Sequence, residues 1–374
     1  MNILFAPQNI ASMPAITVES LNKLKGIKAR YISTYQHKYI SDNPGLIKIK
    51  FPLEYKTFKE SPFINITYRV LYNFWFRPVR FLKLCRWIMW ADVVHWNWDS
   101  MYTNNLDLRL VKFFRKKRFI EWVGSEMRIP EITMLESKWY KAMFNKGYEY
   151  SKVESKEQSY KLQQKFARYN FVPVLVPEMH LFLKPGLFNQ AFMIQYRIFQ
   201  KDKFPQTFYP QIKNDKIIIV HSPSAKYAKG SNYIISVVEE LKKEYPVEFI
   251  LLHNVPRPTV IDTMKSCDIF IDQIILGSYA AAAIEAMSLG KPTVAFIMPG
   301  VYKNGTPESC PVVNANPDTL KEKLTLLIKD PELRNSIGIK SRQFVEETHD
   351  ADKIAIQLLS IYNGEHKSVS VKNA

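Results

Sequence analysis

The chain contains little cysteine, little glycine and no long apolar run. Cys85, Cys267 and Cys310 are the only cysteines in 374 residues, and their wide spacing predicts neither a disulfide framework nor a zinc site. Twelve glycines are too few for a collagen-like or linker-like chain. No window reaches the roughly 20 apolar residues that span a bilayer, and residues 1–6 lack a basic signal-peptide start. We therefore expect a globular, cytoplasmic protein.

Acidic residues are scarce in the first part of the chain. Residues 1–205 hold 33 Lys and Arg against 16 Asp and Glu, whereas residues 206–374 hold 19 of each. The whole net charge of +17 therefore lies in residues 1–205. This asymmetry predicts two domains with different tasks, 1–205 and 206–374. It also predicts an anionic partner for the first one, whether nucleic acid, a membrane surface or a phosphorylated substrate.

Residues 206–374 alternate short apolar segments with amphipathic ones. Strands are predicted at 216–220, 247–253, 268–274 and 292–298. Helices are predicted at 231–244 with Ser231 as N-cap, at 258–266, at 278–289 before Gly290, and after Asn316 and Asp330, each of which precedes a proline. This βαβ alternation indicates a parallel sheet with helices on both faces.

Residues 1–205 open in the same way, with a strand at 2–6 and a helix at 15–25. Later strands are predicted at 93–96, 118–122 and 172–176, and the domain boundary within 185–216. The fold class is therefore α/β, with two doubly wound domains facing each other across a cleft. Ligands of such sheets bind beyond the carboxyl ends of the strands.

Three segments of residues 206–374 contain polar residues that could bind a ligand: a loop, a strand end and a helix. Loop 221–230 places Lys226 and Lys229 before a helix N-terminus, where free N–H groups would form an anion site; the alternative is a solvated loop. Asp272 ends an apolar strand and would face a ligand or cap the next loop. Glu285 lies among alanines, where it would need a partner such as a ribose diol, unless it points outward.

These segments together carry a resemblance to a known family. Lys229-Gly230, Asp272-Gln273 and Glu285-Ala-Met-Ser-Leu-Gly-Lys-Pro are similar to the donor-binding half of retaining GT-B glycosyltransferases, above all the large family four, or group 1. The resemblance runs from about residue 217 to residue 362. It implies two Rossmann-like domains, of which the second binds a nucleotide sugar and the first binds the acceptor.

The first domain resembles the family more weakly and departs from it in two places. Asn9, after the first strand, and Gly124-Ser125-Glu126 resemble family segments on the acceptor side. The family's histidine before Gly-Ser falls on Val123, and the first glutamate of its paired-glutamate motif falls on Gly277. These departures leave open a catalytically impaired partner subunit.

The resemblance implies transfer of a sugar with retention at the anomeric carbon. Lys229, assisted by Lys226 and by the N–H groups near residues 277–279, would neutralise the departing diphosphate, and Glu285 would hold the ribose. The remaining donor-binding residues implied are His221, Ser224, Gly230, Asp272, Gln273, Gly277, Ser278 and Tyr279. No metal or other cofactor is expected, since no Asp-x-Asp pair stands in a metal-site context.

The basic first domain suggests where the acceptor lies. Arg80, Lys83 and Arg86 repeat at helical spacing among aromatic residues, as in a helix on an anionic membrane or in an ordinary solvated helix. We expect a peripheral enzyme on the inner membrane face that extends a glycolipid or polysaccharide precursor for capsule or lipopolysaccharide assembly. Nucleic-acid binding is the alternative, although no nucleic-acid motif occurs. The sugar, the base, the acceptor and the oligomeric state stay open.

Overall fold

The computed structural model describes residues 1–33, 45–47, 70–71, 74–75, 77–211 and 215–369. The first domain contains a parallel sheet in the order β3-β2-β1-β4-β5-β6-β7. Its strands are β1 (Asn2–Ala6), β2 (Lys28–Ile32), β3 (Leu46–Ile47), β4 (Val93–Asn97), β5 (Lys117–Glu121), β6 (Val172–Leu175) and β7 (Phe192–Met193). Its helices are α1 (Met13–Asn22), α2 (Arg77–Trp90), α3 (Leu106–Phe113), α4 (Pro130–Glu136), α5 (Lys138–Lys146), α6 (Lys156–Arg168) and α7 (Pro177–His180).

The second domain contains a parallel sheet in the order β12-β11-β10-β8-β9. Its strands are β8 (Ile217–His221), β9 (Val247–Leu251), β10 (Ile269–Ile271), β11 (Thr293–Ala295) and β12 (Val313–Asn314). Its helices are α8 (Lys226–Lys229), α9 (Ser231–Leu241), α10 (Arg257–Ser266), α11 (Ala281–Ser288), α12 (Pro299–Lys303), α13 (Leu320–Lys329), α14 (Pro331–Thr348) and α15 (Ala351–Asn363). The predicted α/β class with two doubly wound sheets is confirmed.

One predicted N-cap is wrong, and one predicted helix begins later than expected. α9 begins at Ser231 as predicted, but its N-cap is Gly230, and the Ser231 hydroxyl bonds to His221. Asn316 accepts from the N–H groups of residues 318 and 319, as an N-cap does, but these residues form a turn and α13 starts at Leu320. Asp330 does cap α14 by accepting from the Leu333 N–H at 2.8 Å.

Helix α2 was expected to carry its three basic residues as one exposed stripe, and this is wrong for Arg80. Arg80 is buried, and its guanidinium lies 5.0 Å from the centre of the Tyr102 ring. Lys83 and Arg86 are exposed. Leu84 and Ile88 form the face of α2 that enters the core.

Helix α15 leaves the second domain and packs against the first. Ile354, Leu358 and Tyr362 join Ile3 and Phe5 of β1 in one buried apolar cluster. The two domains are therefore connected both by the chain that follows β7 and by this returning helix.

A buried ion pair lies next to this contact. Arg197 donates to both oxygens of Glu121 at 2.6 Å, and neither side chain is exposed. Burial opposes the charge of Glu121, but the adjacent Arg197 guanidinium outweighs it and lowers the pKa of Glu121 to about 2. The Tyr362 hydroxyl of α15 lies 2.6 Å from His95, which adjoins Glu121, so the pair supports the docking of α15.

We predict that Glu121→Gln lowers the free energy of unfolding by about 3 to 5 kcal/mol, because it leaves the buried Arg197 without its counterion. Urea unfolding followed by circular dichroism measures this loss. The matched control is Glu240→Gln, which breaks the half-exposed pair with Lys321 and should cost less than about 1 kcal/mol. Equal losses in the two variants would contradict the assigned role of the pair.

Candidate functional site

The carboxyl ends of β8 and β10 lie side by side, because these strands are neighbours in the sheet. Lys229, the last residue of the short helix α8 that follows β8, is buried and donates from Nζ to Oδ1 of Asp272, which follows β10. The second oxygen of Asp272 accepts from the Ala280 N–H at 2.9 Å, directly before α11. Asp272 thus links the Lys229 ammonium to the N-terminus of α11.

His221, the last residue of β8, is held on both sides by protein groups. Its Nδ1 donates to the Ile271 carbonyl at 2.8 Å, so its Nε2 accepts from the Ser231 hydroxyl at 2.9 Å. Burial lowers the pKa of His221 to about 4, so the ring is neutral at pH 7. His221 therefore connects β8 to β10 and α9. Its predicted contact with the nucleotide-sugar donor stays a prediction.

Loop 221–230, where an anion site is expected before α9, has two backbone donors that already have an acceptor in the protein. Residues 226–229 form the short helix α8, and its Tyr227 and Ala228 N–H groups donate to the Glu149 carboxylate at 2.9 and 3.1 Å. Ser224 and Lys226 are exposed. An acidic side chain of the first domain therefore occupies these two donors, and the anion site at the start of α9 stays a prediction.

The segment 273–279 is tightly packed around Gly277. The Gln273 amide donates to the Ser278 carbonyl, and Gly277 has φ +89°. A Cβ at Gly277 would overlap the side chain of Met298. A side chain at the position where the family has its first glutamate would therefore strain the backbone and displace Met298.

Tyr279 points its hydroxyl toward α14 and α15. The hydroxyl donates to Nε2 of His349 at 3.0 Å, while Nδ1 of His349 donates to the Tyr196 carbonyl at 2.7 Å. Burial lowers the pKa of His349 to about 4, which keeps the ring neutral. This chain of hydrogen bonds joins the loop before α11 to residues 194–199 beyond β7.

Glu285 on α11 has a protein partner that the sequence did not indicate. Arg257, at the start of α10, contacts Oε1 of Glu285 through both Nε and Nη2, each at 2.6 Å. Glu285 is buried, whereas the Arg257 side chain is half-exposed. The two residues are 28 positions apart, and only the packing of α10 against α11 brings them together.

The acceptor-side residues follow β1 and β5. Glu126 is buried and accepts from the Val123 and Gly124 N–H groups at 2.8 and 3.2 Å. Burial raises the pKa of Glu126 to about 7. Ser125 is half-buried, and Asn9 accepts from the Ala15 N–H at 3.2 Å, which stabilises the start of α1.

A small cleft lies between the two domains. Its wall from the first domain includes Glu178 and Tyr196, and its wall from the second includes Ser278, Tyr279 and Thr306. The sequence did not indicate Glu178 as a cleft residue, because Val-Pro-Glu-Met-His is typical of the end of any buried strand.

Within the described ranges, no helix is long and apolar enough to cross a membrane. Across the same residues, no group of three or more His, Cys, Asp or Glu side chains is arranged to hold a metal ion.

We predict that Gly277→Ala lowers the free energy of unfolding more than the same substitution at a glycine that also has a positive φ but has open space around it. Gly186 has φ +70°, and a Cβ added there would have nothing within 4 Å, so Gly186→Ala incurs only the backbone penalty of about 1 to 2 kcal/mol. Gly277→Ala adds the clash with Met298, about 1 to 3 kcal/mol more. Thermal unfolding compares the variants, and equal melting temperatures would contradict the packing described.

The comparisons with known proteins agree with this architecture. Residues 241–344, which contain Asp272 and Glu285, match the family described as "Glycosyl transferases group 1". No curated protein matches the chain. The sucrose-phosphate synthase of Thermosynechococcus elongatus is a similar solved structure, with a TM-score of 0.62 and 12% identity over 97% of this chain and 98% of that one.

Two further solved structures have the same fold. An alpha-glucosyltransferase in complex with UDP-glucose and DNA has a TM-score of 0.58 and 10% identity, covering 97% of this chain and 98% of its own. WaaG, a glycosyltransferase involved in lipopolysaccharide biosynthesis, has a TM-score of 0.52 and 14% identity, covering 97% and 100%. The fold implied by the resemblance is confirmed: the chain has the GT-B fold, and residues 241–344 of its second domain match the group 1 glycosyltransferase family model.

Proposed function

We propose that the protein is a retaining glycosyltransferase that transfers a sugar from a nucleotide sugar to a lipid-linked or glycan acceptor at a membrane surface. The observation that carries this proposal is the contact of Lys229, Asp272 and Ala280 at the N-terminus of α11. Asp272 and Ala280 lie within residues 241–344, the region that matches group 1 glycosyltransferases. The alpha-glucosyltransferase of the same fold is complexed with UDP-glucose, which supports a nucleotide-sugar donor here.

The start of α11 suits a diphosphate. The first N–H groups of a helix have no acceptor within it and carry partial positive charge. Ala281 and Ala282 are half-buried, so a ligand can approach their backbone. Lys229 has three ammonium hydrogens, of which one is donated to Asp272, and the others are available to phosphate oxygens.

In the proposed reaction the bond between the anomeric carbon and the diphosphate oxygen breaks as the acceptor hydroxyl bonds to the same face of that carbon. The acceptor proton passes to the departing phosphate, so no protein nucleophile is required. Lys229 and the N-terminus of α11 stabilise the negative charge that develops on the diphosphate. The scheme invokes no metal ion.

Glu285 is the proposed ribose ligand, and Arg257 modifies that role. Both Arg257 contacts are made with Oε1. The ribose hydroxyls are therefore proposed to donate to Oε2, while Arg257 fixes the orientation of the carboxylate.

An apolar and basic surface of the first domain supports the membrane part of the proposal. Leu82 and Met89 of α2 are 64% and 53% exposed, and Phe113 at the end of α3 is 77% exposed. Lys116 donates to the Met89 carbonyl at 2.9 Å, so the ends of α2 and α3 are adjacent. Exposed Phe74 and Trp75 precede α2 in the chain. Apolar side chains beside Lys83, Arg86 and Lys116 are typical of contact with anionic lipid.

We predict that a nucleoside diphosphate raises the melting temperature of the wild type, since a ligand at 100 times its Kd stabilises by about 2.7 kcal/mol. The double variant Lys229→Met/Asp272→Asn removes the ammonium without leaving a buried unpaired carboxylate, and should weaken binding at least tenfold. Glu285→Gln should weaken it as well.

The control for this measurement is Lys226→Met, which removes a nearby exposed lysine and should retain most of the shift. Thermal shift with a panel of nucleoside diphosphates and nucleotide sugars tests all four proteins. An undiminished shift in the double variant would refute the site. Binding without sugar transfer to any lipid-linked acceptor would favour an impaired partner subunit.

We further predict that Leu82→Gln/Met89→Gln weakens binding to sedimenting phosphatidylglycerol vesicles about fivefold, because partial burial of two apolar side chains contributes on the order of 1 kcal/mol. Binding should also fall at high salt, since charges attract the protein to anionic lipid. Leu326→Gln is the control, as Leu326 is similarly exposed on α13 of the second domain, whose net charge is zero. An equal loss of vesicle binding in the two variants would contradict the proposal that this surface binds the membrane. Equal binding of the wild type to phosphatidylcholine and phosphatidylglycerol vesicles would contradict it as well.

A further inference from the structure

A segment of the first domain crosses to the second domain and packs against its core. This bridging segment, residues 130–154, consists of α4, α5 and the turns that follow α5. Its Tyr140 and Tyr148 side chains are buried. They lie in one apolar cluster with Ala228 and Ile275 of the second domain. The bridging segment therefore contacts α8 and the loop before α11, both of which border the proposed diphosphate site.

A buried charge cluster fixes the bridging segment to its own domain. Glu154 accepts from the Tyr140 and Tyr148 hydroxyls. It also accepts from Arg128 at 2.6 Å, and Arg128 donates to Glu178 of α7 at 2.8 Å. The side chains of Glu154, Arg128 and Glu178 are at least nine-tenths buried. The bridging segment is thereby held in place, because a shift would leave buried charges unpaired.

The end of the bridging segment holds α8. The Glu149 carboxylate accepts from the Tyr227 and Ala228 N–H groups at 2.9 and 3.1 Å. Both groups belong to α8, whose last residue is Lys229. Helix α8 has four residues, which is about one helical turn. A displacement of its Tyr227 end therefore also displaces Lys229.

The middle of the bridging segment holds the loop before α11. The buried Ser137 hydroxyl donates to the Ile275 carbonyl at 3.1 Å. In the same loop, the Ile274 N–H donates to the Lys229 carbonyl at 3.2 Å. The loop follows Asp272, which accepts from the Lys229 ammonium. Both members of this ion pair are therefore adjacent to backbone that a first-domain side chain holds.

We propose that Glu149 and Ser137 are positioning residues of the donor site. They fix α8 and the loop before α11, so that the Lys229 ammonium and the start of α11 meet a diphosphate in one geometry. Neither side chain contacts the ligand. Groups that are already ordered lose less conformational entropy when a ligand binds. The inference rests on the proposed function and deepens it, since diphosphate affinity in the second domain then depends on two first-domain side chains.

Calorimetric titration with UDP and UMP, or with the best-binding nucleoside diphosphate of the panel and its monophosphate, tests the inference. The ratio of the Kd for UMP to the Kd for UDP reports what the second phosphate contributes. Glu149→Gln should reduce this ratio about fivefold and Ser137→Ala about threefold, because Lys229 and the loop are then held less firmly. The Kd for UMP should stay within about twofold of the wild type, since its ribose and base contacts are distant from both substitutions.

The control is Asp318→Asn, which weakens the same interface at another place. Asp318 accepts from Nε1 of Trp139 at 3.1 Å and pairs with Lys138 at 2.5 Å. These contacts reach neither of the elements that Glu149 and Ser137 hold. Asp318 is an exposed carboxylate, as Glu149 is, and its substitution should leave the ratio unchanged.

An unchanged ratio in Glu149→Gln would overturn the positioning role. An equal reduction in Asp318→Asn would overturn it too, because the bridging segment would then act only by holding the domains together. Absence of all nucleotide binding in the wild type is a different result, since it would refute the proposed function and this inference with it.

Discussion

Charged side chains buried at strand ends must be paired, and this requirement organises the cleft side of both domains. Arg197 with Glu121 follows from it in the first sheet, and Lys229 with Asp272 follows from it in the second. Each pair joins segments far apart in the chain, so each fixes the position of a loop as well as neutralising a charge. The loops that surround the cleft are thereby held in one arrangement before any ligand binds.

The same pairing makes the candidate site a connected structure. Asp272 holds Lys229 and the residue before α11 at once, and Arg257 holds Glu285 farther along that helix. First-domain residues also contribute, since Glu149 caps α8 and the Tyr196 carbonyl accepts from His349. The geometry of the candidate site is therefore coupled to the relative position of the domains.

The departures from the family motif acquire a physical explanation at one position. Gly277 has a backbone conformation that side chains rarely adopt, and Met298 fills the space where a side chain would project. The missing glutamate is thus built into the packing of this loop rather than being a single changed residue. The structure does not explain why valine replaces the family's histidine at position 123. The Val123 N–H donates to Glu126, and its side chain is half-buried.

The sequence by itself determined the two parallel sheets, most of their strands, the Asp330 helix cap and the family region, because apolar periodicity and capping are local properties. It misplaced Ser231 as a helix cap, because the Ser231 hydroxyl bonds to the distant His221, and it started the helix after Asn316 one turn too early. Only the tertiary structure decided that Glu149 occupies the α8 donors, that Arg257 pairs with Glu285, and that Glu178 faces the cleft. The first two contacts join residues 79 and 28 positions apart, and no local pattern encodes which distant partner a buried charge will meet.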